Sequence, residues 1–233
     1  MDHAAFLLQQ IIERSPDGVR TTSRDPESGS DRIWYRVRVP VLREMVKQWQ
    51  ARYQEAFGYE DWLTLLDTLY RGESIDERQV AGMILAAFPD HRRRLPLDKL
   101  EFWIGQLAGW KEVDSTCQST FGASELLAAF DDWEALLIRL SYDENIAKRR
   151  ASLVLLVKSI KSPHPCFLQL ALRLIDTLKY ERDKRITKAV SWLLRSGLSR
   201  HPAEIAAYLG ANAGSLPAIA LRETRRKLKT GRK

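Results

Sequence analysis

Apolar residues recur at helical spacing along almost the whole chain. After Pro40, the residues Leu42, Met45, Val46 and Trp49 fall on one face of a helix, with the proline in its first turn. The same period predicts helices over 60–71, 76–88, 97–107, 124–141, 145–161, 165–179, 184–198 and 202–209. Turn chemistry separates them: Gly58, Gly72, Pro89-Asp90, Pro96, Ser162-Pro163 and His201-Pro202. No segment alternates as a strand. Ser15 to Asp31, rich in Asp, Ser, Pro and Gly, reads as a flexible loop after a short first helix. Helices of about 10–18 residues with short connections, in a pairwise rhythm, predict stacked helical hairpins. The expected fold is all-α: a single domain over residues 1–233, built as a HEAT-like helical-repeat solenoid with a concave DNA-binding face. Rhythm carries this reading, since the hairpins share no strict sequence repeat.

Two residues sit oddly on that pattern. In the helix beginning after Asn145, Arg150 falls inside the stripe formed by Ile146, Leu153, Val154 and Val157. A buried arginine without a partner is costly, so Arg150 either pairs with an internal carboxylate or emerges where the stripe meets a groove. In the helix after Asp183, the buried side is set by Ile186, Val190, Leu193 and Gly197, yet Trp192 falls beside Arg185, Lys188 and Arg195. An aromatic among cations suits packing against sugars or bases while the cations hold phosphates. The alternative is that Trp192 packs against a neighbouring helix. Trp110 and Asp114 follow the helix that ends near Ala108-Gly109. Taken singly, Trp110 is a core aromatic, and Asp114, just before Ser115-Thr116, is a helix N-cap.

Charge and composition narrow the function. The 233 residues carry a net charge of +7, with 45% hydrophobic and 29% charged side chains, which suits a globular protein with a polyanionic partner. A second source of positive charge is the C-terminal run Arg222, Arg225, Arg226, Lys227, Lys229, Arg232 and Lys233, while Arg92-Arg93-Arg94 reads as a solvated turn. No apolar run approaches the roughly 18 residues that span a bilayer, and the first ten residues lack the features of a secretory signal. Two cysteines, Cys117 and Cys166, make no disulfide framework and point to a reducing cytosol. His3, His91, His164 and His201 have no metal-ligand spacing, so neither a metal nor another cofactor is expected. Phosphate-loop, nucleophile-elbow and dinucleotide motifs are absent from the sequence.

Three segments together resemble a known family. Trp110-Lys-Glu-Val-Asp114-Ser, Asn145-Ile-Ala-Lys-Arg-Arg150-Ala and Lys188-Ala-Val-Ser-Trp192-Leu-Leu-Arg195 are similar, in order and approximate spacing, to the AlkD-like glycosylases of the DNA alkylation repair family. The likeness runs over about residues 35–230. It implies release of cationic N3- and N7-alkylated purines from duplex DNA, with Asp114, Trp110 and Trp192 at the active-site positions and Arg150 contacting DNA. It also implies excision without a base-binding pocket. Arg185, Lys188, Arg195, Arg225 and Arg226 are the further candidate phosphate contacts. The matched site holds no obvious lysine, which predicts a monofunctional glycosylase without strand cleavage. The expected protein is a monomer, cytoplasmic and associated with the nucleoid. Arg36-Val-Arg38-Val-Pro40 departs from the family, which often has a glycine in the lead-in to that helix. The rival reading is a catalytically silent helical-repeat protein that binds duplex or distorted DNA, since fold alone does not fix function.

Overall fold

The computed structural model describes residues 1–16, 23–118 and 120–231, and the chain divides into two compact units, Met1–Thr120 and Phe121–Lys233. The first contains α1 (His3–Glu13), a hairpin of β1 (Ser23–Asp25) and β2 (Ser30–Trp34), then α2 (Val39–Tyr53), α3 (Tyr59–Arg71), α4 (Ile75–Ala87), α5 (Pro89–Arg92), α6 (Leu97–Gly105) and α7 (Trp110–Cys117). The second contains α8 (Ala123–Leu127), α9 (Phe130–Ser141), α10 (Ile146–Val154), α11 (Leu156–Ser159), α12 (Pro165–Leu178), α13 (Lys184–Gly197), α14 (Pro202–Ala211) and α15 (Ala218–Thr230). The helical architecture expected from periodicity is present, with one short hairpin added. Consecutive helices pack in pairs, as in α3 with α4, α9 with α10 and α12 with α13. Among the described residues no helix is long and apolar enough to cross a membrane.

Local rules account for most boundaries. Pro40 lies in the first turn of α2, which buries Leu42, Met45, Val46 and Trp49 as its period requires. A capping box opens α4: the Ser74 hydroxyl accepts from the Glu77 amide at 3.1 Å, and the Glu77 carboxylate accepts from the Ser74 amide at 2.9 Å. Asn145 and Asp183 cap α10 and α13 through their side chains. In the second unit α12 buries Phe167, Leu170, Ala171, Leu174, Ile175 and Leu178. Each large side chain so removed from water contributes roughly 1.5–3 kcal/mol.

Four departures have physical causes. The 124–141 helix is broken at Ala128-Ala129; alanine is the best helix former, so packing and not propensity makes that break. The 145–161 helix turns at Leu155, just after Ser152, whose hydroxyl donates back to the Arg149 carbonyl at 2.7 Å, a contact that bends helices. Part of the expected loop 15–31 is a hairpin, tightened by Asp25 accepting from the Ser28 amide at 3.3 Å; residues 17–22 lie outside the described residues. The basic C-terminal run, for which no helix was expected, lies in α15 as far as Thr230, with Arg232 and Lys233 outside the described residues.

Candidate active site

The stretch expected to connect two helices is itself a helix. Gly109 stands at the N-cap of α7, and Asp114 lies mid-helix, so Asp114 is not a cap. Period then divides the helix: Glu112, Val113, Thr116 and Cys117 are buried, while Trp110, Asp114 and Gln118 share the opposite face with Lys111 and Ser115. Against the buried face runs α4. A Cβ on Gly82 would lie 2.7 Å from the Ser115 carbonyl carbon and oxygen and from the Thr116 nitrogen, so the two helices meet backbone to backbone. The Ser115 hydroxyl donates to the Gln79 carbonyl at 2.8 Å, which fixes the rotation of α7 on α4.

The hairpin is pinned to the start of α7 by charge. Lys111 reaches Asp25 at 2.6 Å, and its ammonium stands 3.4 Å from the centroid of the Trp34 ring. One residue on, the fully buried Glu112 lies 3.8 Å from Arg32 and 3.9 Å from Arg78, and accepts from the Ala108 amide at 3.0 Å. Burial, and then the neighbouring Arg32, pull the Arg78 guanidinium down to about 10. Close packing adds to this: a Cβ on Gly109 would sit 3.0 Å from Ser28 and Ser30.

After β2 the backbone makes an unusual turn. Arg36 has φ of 59°, and among the described residues no other non-glycine has positive φ. The carboxylate of Asp76, wholly buried near the start of α4, accepts from the Tyr35 amide at 2.8 Å and from the Val37 amide at 3.2 Å. Burial pushes the Asp76 carboxyl up to about 6, against the pull of those two amides and of Lys111. The turn opens onto a cavity of about 420 Å³ whose walls include Trp34, Arg36, Arg38, Arg43, Trp110 and Asp114. Arg36, Arg38 and Arg43 are exposed and Asp114 is half-buried. Trp110 is 39% exposed, so it is a surface aromatic and not a core one.

The structure therefore brings Trp110 and Asp114 into one cavity. Trp34, Arg36 and Asp76 belong to the same region, and sequence reasoning missed all three. The one available signal was the run of cations in Arg36-Val-Arg38-Val-Pro40, at the start of α2.

The other candidates stand on α10, α13 and α15 of the second unit. Arg150 is 5% exposed, and its guanidinium donates to the carbonyl of Arg185. It thus grips the first turn of α13. Arg185 is engaged by Asp183 at 2.9 and 3.0 Å, a bond that holds Asp183 below the usual carboxylate range. Arg195, expected on the polar face, is 9% exposed because α15 packs across α13. Its Nε lies 3.3 Å from Glu223 and donates to the Ser191 hydroxyl at 3.2 Å. Trp192 is half-buried, whereas Lys188, Arg225 and Arg226 are exposed. Among the described residues, no group of three or more His, Cys, Asp or Glu is arranged to hold a metal ion.

Comparison with known proteins bears on the fold and the family. In fold the chain is similar to a predicted DNA alkylation repair enzyme from Enterococcus faecalis, with a TM-score of 0.70 at 17% identity, covering 91% of this chain and 100% of that one. No curated protein matches. The DNA alkylation repair enzyme family matches residues 30–228, which include the hairpin's second strand, the α4–α7 pair and all but the last residues of α15. The chain belongs to the DNA alkylation repair enzyme family.

Proposed function

We propose that this protein is a monofunctional DNA glycosylase that hydrolyses the N-glycosidic bond of cationic N3- and N7-alkylated purines, such as 3-methyladenine and 7-methylguanine, in duplex DNA. The observation that carries the reading is that Asp114 shares one cavity with Trp110 and with Arg36, Arg38 and Arg43. A pure DNA binder gains nothing from a carboxylate among its phosphate contacts, whereas glycoside chemistry needs one.

The proposed chemistry follows from charge. Alkylation at N3 or N7 leaves the purine cationic. When the bond from C1′ to the purine nitrogen breaks, the base leaves neutral with the electron pair, and positive charge develops on the sugar. Asp114 stabilises that charge and orients a water towards C1′; the water's oxygen bonds to carbon and its proton passes to the carboxylate and on to solvent. The products are the free purine and an abasic site. Trp110 and Trp192 are the aromatic faces of this reading, each attracting a developing cation by roughly 0.5–2 kcal/mol. Lys188, Arg225 and Arg226 are the proposed phosphate contacts on exposed faces, with Arg150, Arg185 and Arg195 contributing where DNA displaces their present partners. One copy of the chain, acting as a HEAT-like glycosylase domain at the nucleoid, suffices.

The test is release of 7-methylguanine and 3-methyladenine from a methylated duplex by the purified chain, measured by chromatography. Release supports the reading. A protein that binds the duplex and liberates neither base is instead a non-catalytic helical-repeat DNA binder.

A further inference from the structure

The most unusual backbone at the candidate site belongs to Arg36. Positive φ crowds a Cβ against its own backbone, and glycine is the residue that adopts it without penalty. The chain keeps an arginine there, and the surrounding fold holds it in place. The Asp76 carboxylate straddles the residue, taking the amides on either side at 2.8 and 3.2 Å. The Ser15 hydroxyl donates to the Tyr35 carbonyl at 2.9 Å, and Ile33 bridges to Ser74. A backbone outlier held this firmly at a cavity wall points to use of the side chain.

The surroundings indicate which use. Arg36 is exposed, as are Arg38 and Arg43, and all three line the cavity that holds Asp114. Two cations stand over the Trp34 ring, the Arg36 guanidinium 5.7 Å and the Lys111 ammonium 3.4 Å from its centroid. Lys111 is already engaged by Asp25. With Lys111, the three arginines bring positive charge to the cavity, and Asp114 is the one acidic side chain among its described lining residues. Planar guanidinium forks take phosphate oxygens in pairs, and a cluster of them beside a carboxylate suits a phosphodiester backbone whose sugar faces that carboxylate.

We infer that Arg36, flanked by Arg38 and Arg43, binds a backbone phosphate of the DNA strand carrying the excised base, and that Asp76 is the positioning residue that sets Arg36 for it. This deepens the glycosylase reading and rests on it for the identity of the strand. Arg36 gives the site a fixed cation at its mouth, so that the sugar next to the bound phosphate is held against Asp114.

Glycine at position 36 separates a structural role from a binding one, because it relieves the strained backbone while removing the cation. For Arg36→Gly, thermal melting is expected at or slightly above the wild-type temperature. Its affinity for a fluorescent duplex containing a tetrahydrofuran abasic analogue, followed by anisotropy across a salt series, should fall about tenfold, and the log–log salt slope should drop by about one. Arg36→Lys should recover the slope and part of the affinity. Asp76→Asn should weaken binding in the wild type but have no further effect once Arg36 is glycine. An unchanged slope in Arg36→Gly overturns the phosphate contact, and a lowered melting temperature makes Arg36 a structural residue. If Asp76→Asn weakens binding equally in both backgrounds, it does not act through Arg36; if that variant fails to fold, the Arg36 pair still decides the contact. Base release by the wild type tests the glycosylase reading separately. Binding with the expected slope change but no release removes the enzyme and keeps Arg36, whereas a wild type that ignores DNA at low salt removes both.

Discussion

Gly82 of α4 and Ser115 of α7 meet with no side chain between them, since a Cβ on Gly82 would stand 2.7 Å from the Ser115 carbonyl. Asp114 is the residue before that contact, and its side chain emerges on the opposite face of α7. The height of Asp114 above α4 is therefore set by the absence of a methyl group one helix away. Gly82→Ala must push backbone against backbone, which neither helix can relieve by rotating a side chain. The expected cost is on the order of 1–3 kcal/mol, typical of overpacking. Urea unfolding should show a lower midpoint with an unchanged m-value. Excision of 7-methylguanine should fall by more than the loss of folded protein explains, because a displacement near 1 Å can cost about 10² in rate. A Gly82→Ala protein with wild-type stability would show that α7 is free to move away from α4.

Asp76 predicts a specific pH dependence. Its folded carboxyl keeps the proton up to about pH 6, whereas the unfolded one releases it near the ordinary value of 3.8. Between those values the native state binds more protons, so this group's contribution to stability is full at acid pH and is lost as pH rises through about 6. At 1.36 kcal/mol per pH unit the span is on the order of 3 kcal/mol. Asn in its place carries no such dependence. The stability of the wild type relative to Asp76→Asn should therefore decline between about pH 4 and pH 7, measured by urea unfolding at each pH. A constant difference would mean that Asp76 titrates like an exposed carboxylate.

Arg150 gives the third prediction. With its side chain buried against the Arg185 carbonyl, Arg150→Ala leaves that carbonyl without this donor and opens a cavity beside α13. A loss of about 1–3 kcal/mol is expected. The salt slope for duplex binding should stay that of the wild type if Arg150 works by holding α13. A slope lowered by about one, in a fully stable variant, would instead make it a direct phosphate contact.

These residues show what periodicity reveals and what it hides. The helices carrying Leu42 to Trp49 or Phe167 to Leu178 are legible because one face of each is apolar. Asp76 gives no such signal: it joins α4 to amides 39 and 41 residues earlier in the chain, and nothing local marks that contact. The hairpin strands are three and five residues long in a polar stretch, too short for alternation to register. Gly109 was read as a helix end, but α6 stops at Gly105 and Gly109 is the N-cap of α7, which is why Asp114 resembled a cap. Arg195 seemed solvent-facing because α13 was read as touching one neighbour, whereas α15 covers a second side and supplies Glu223.

Asp114→Asn separates chemistry from binding. The amide keeps the size of the carboxylate and much of its hydrogen bonding, and α7 should be undisturbed because Asp114 is mid-helix on the cavity face. The negative charge and the proton acceptor are lost. Removing one well-placed electrostatic contact to a charge that develops in the transition state typically costs on the order of 10²–10³ in rate. Duplex affinity should be equal or slightly higher, because a carboxylate beside phosphates opposes ground-state binding. Excision of 7-methylguanine should collapse in single-turnover assays while anisotropy reports intact binding. Neutral lesions should be poor substrates even for the wild type, since the departing base then lacks the positive charge that weakens its bond to the sugar. Equal release by wild type and Asp114→Asn would leave the carboxylate without a chemical role, and the cavity would then serve to hold DNA by its arginines alone.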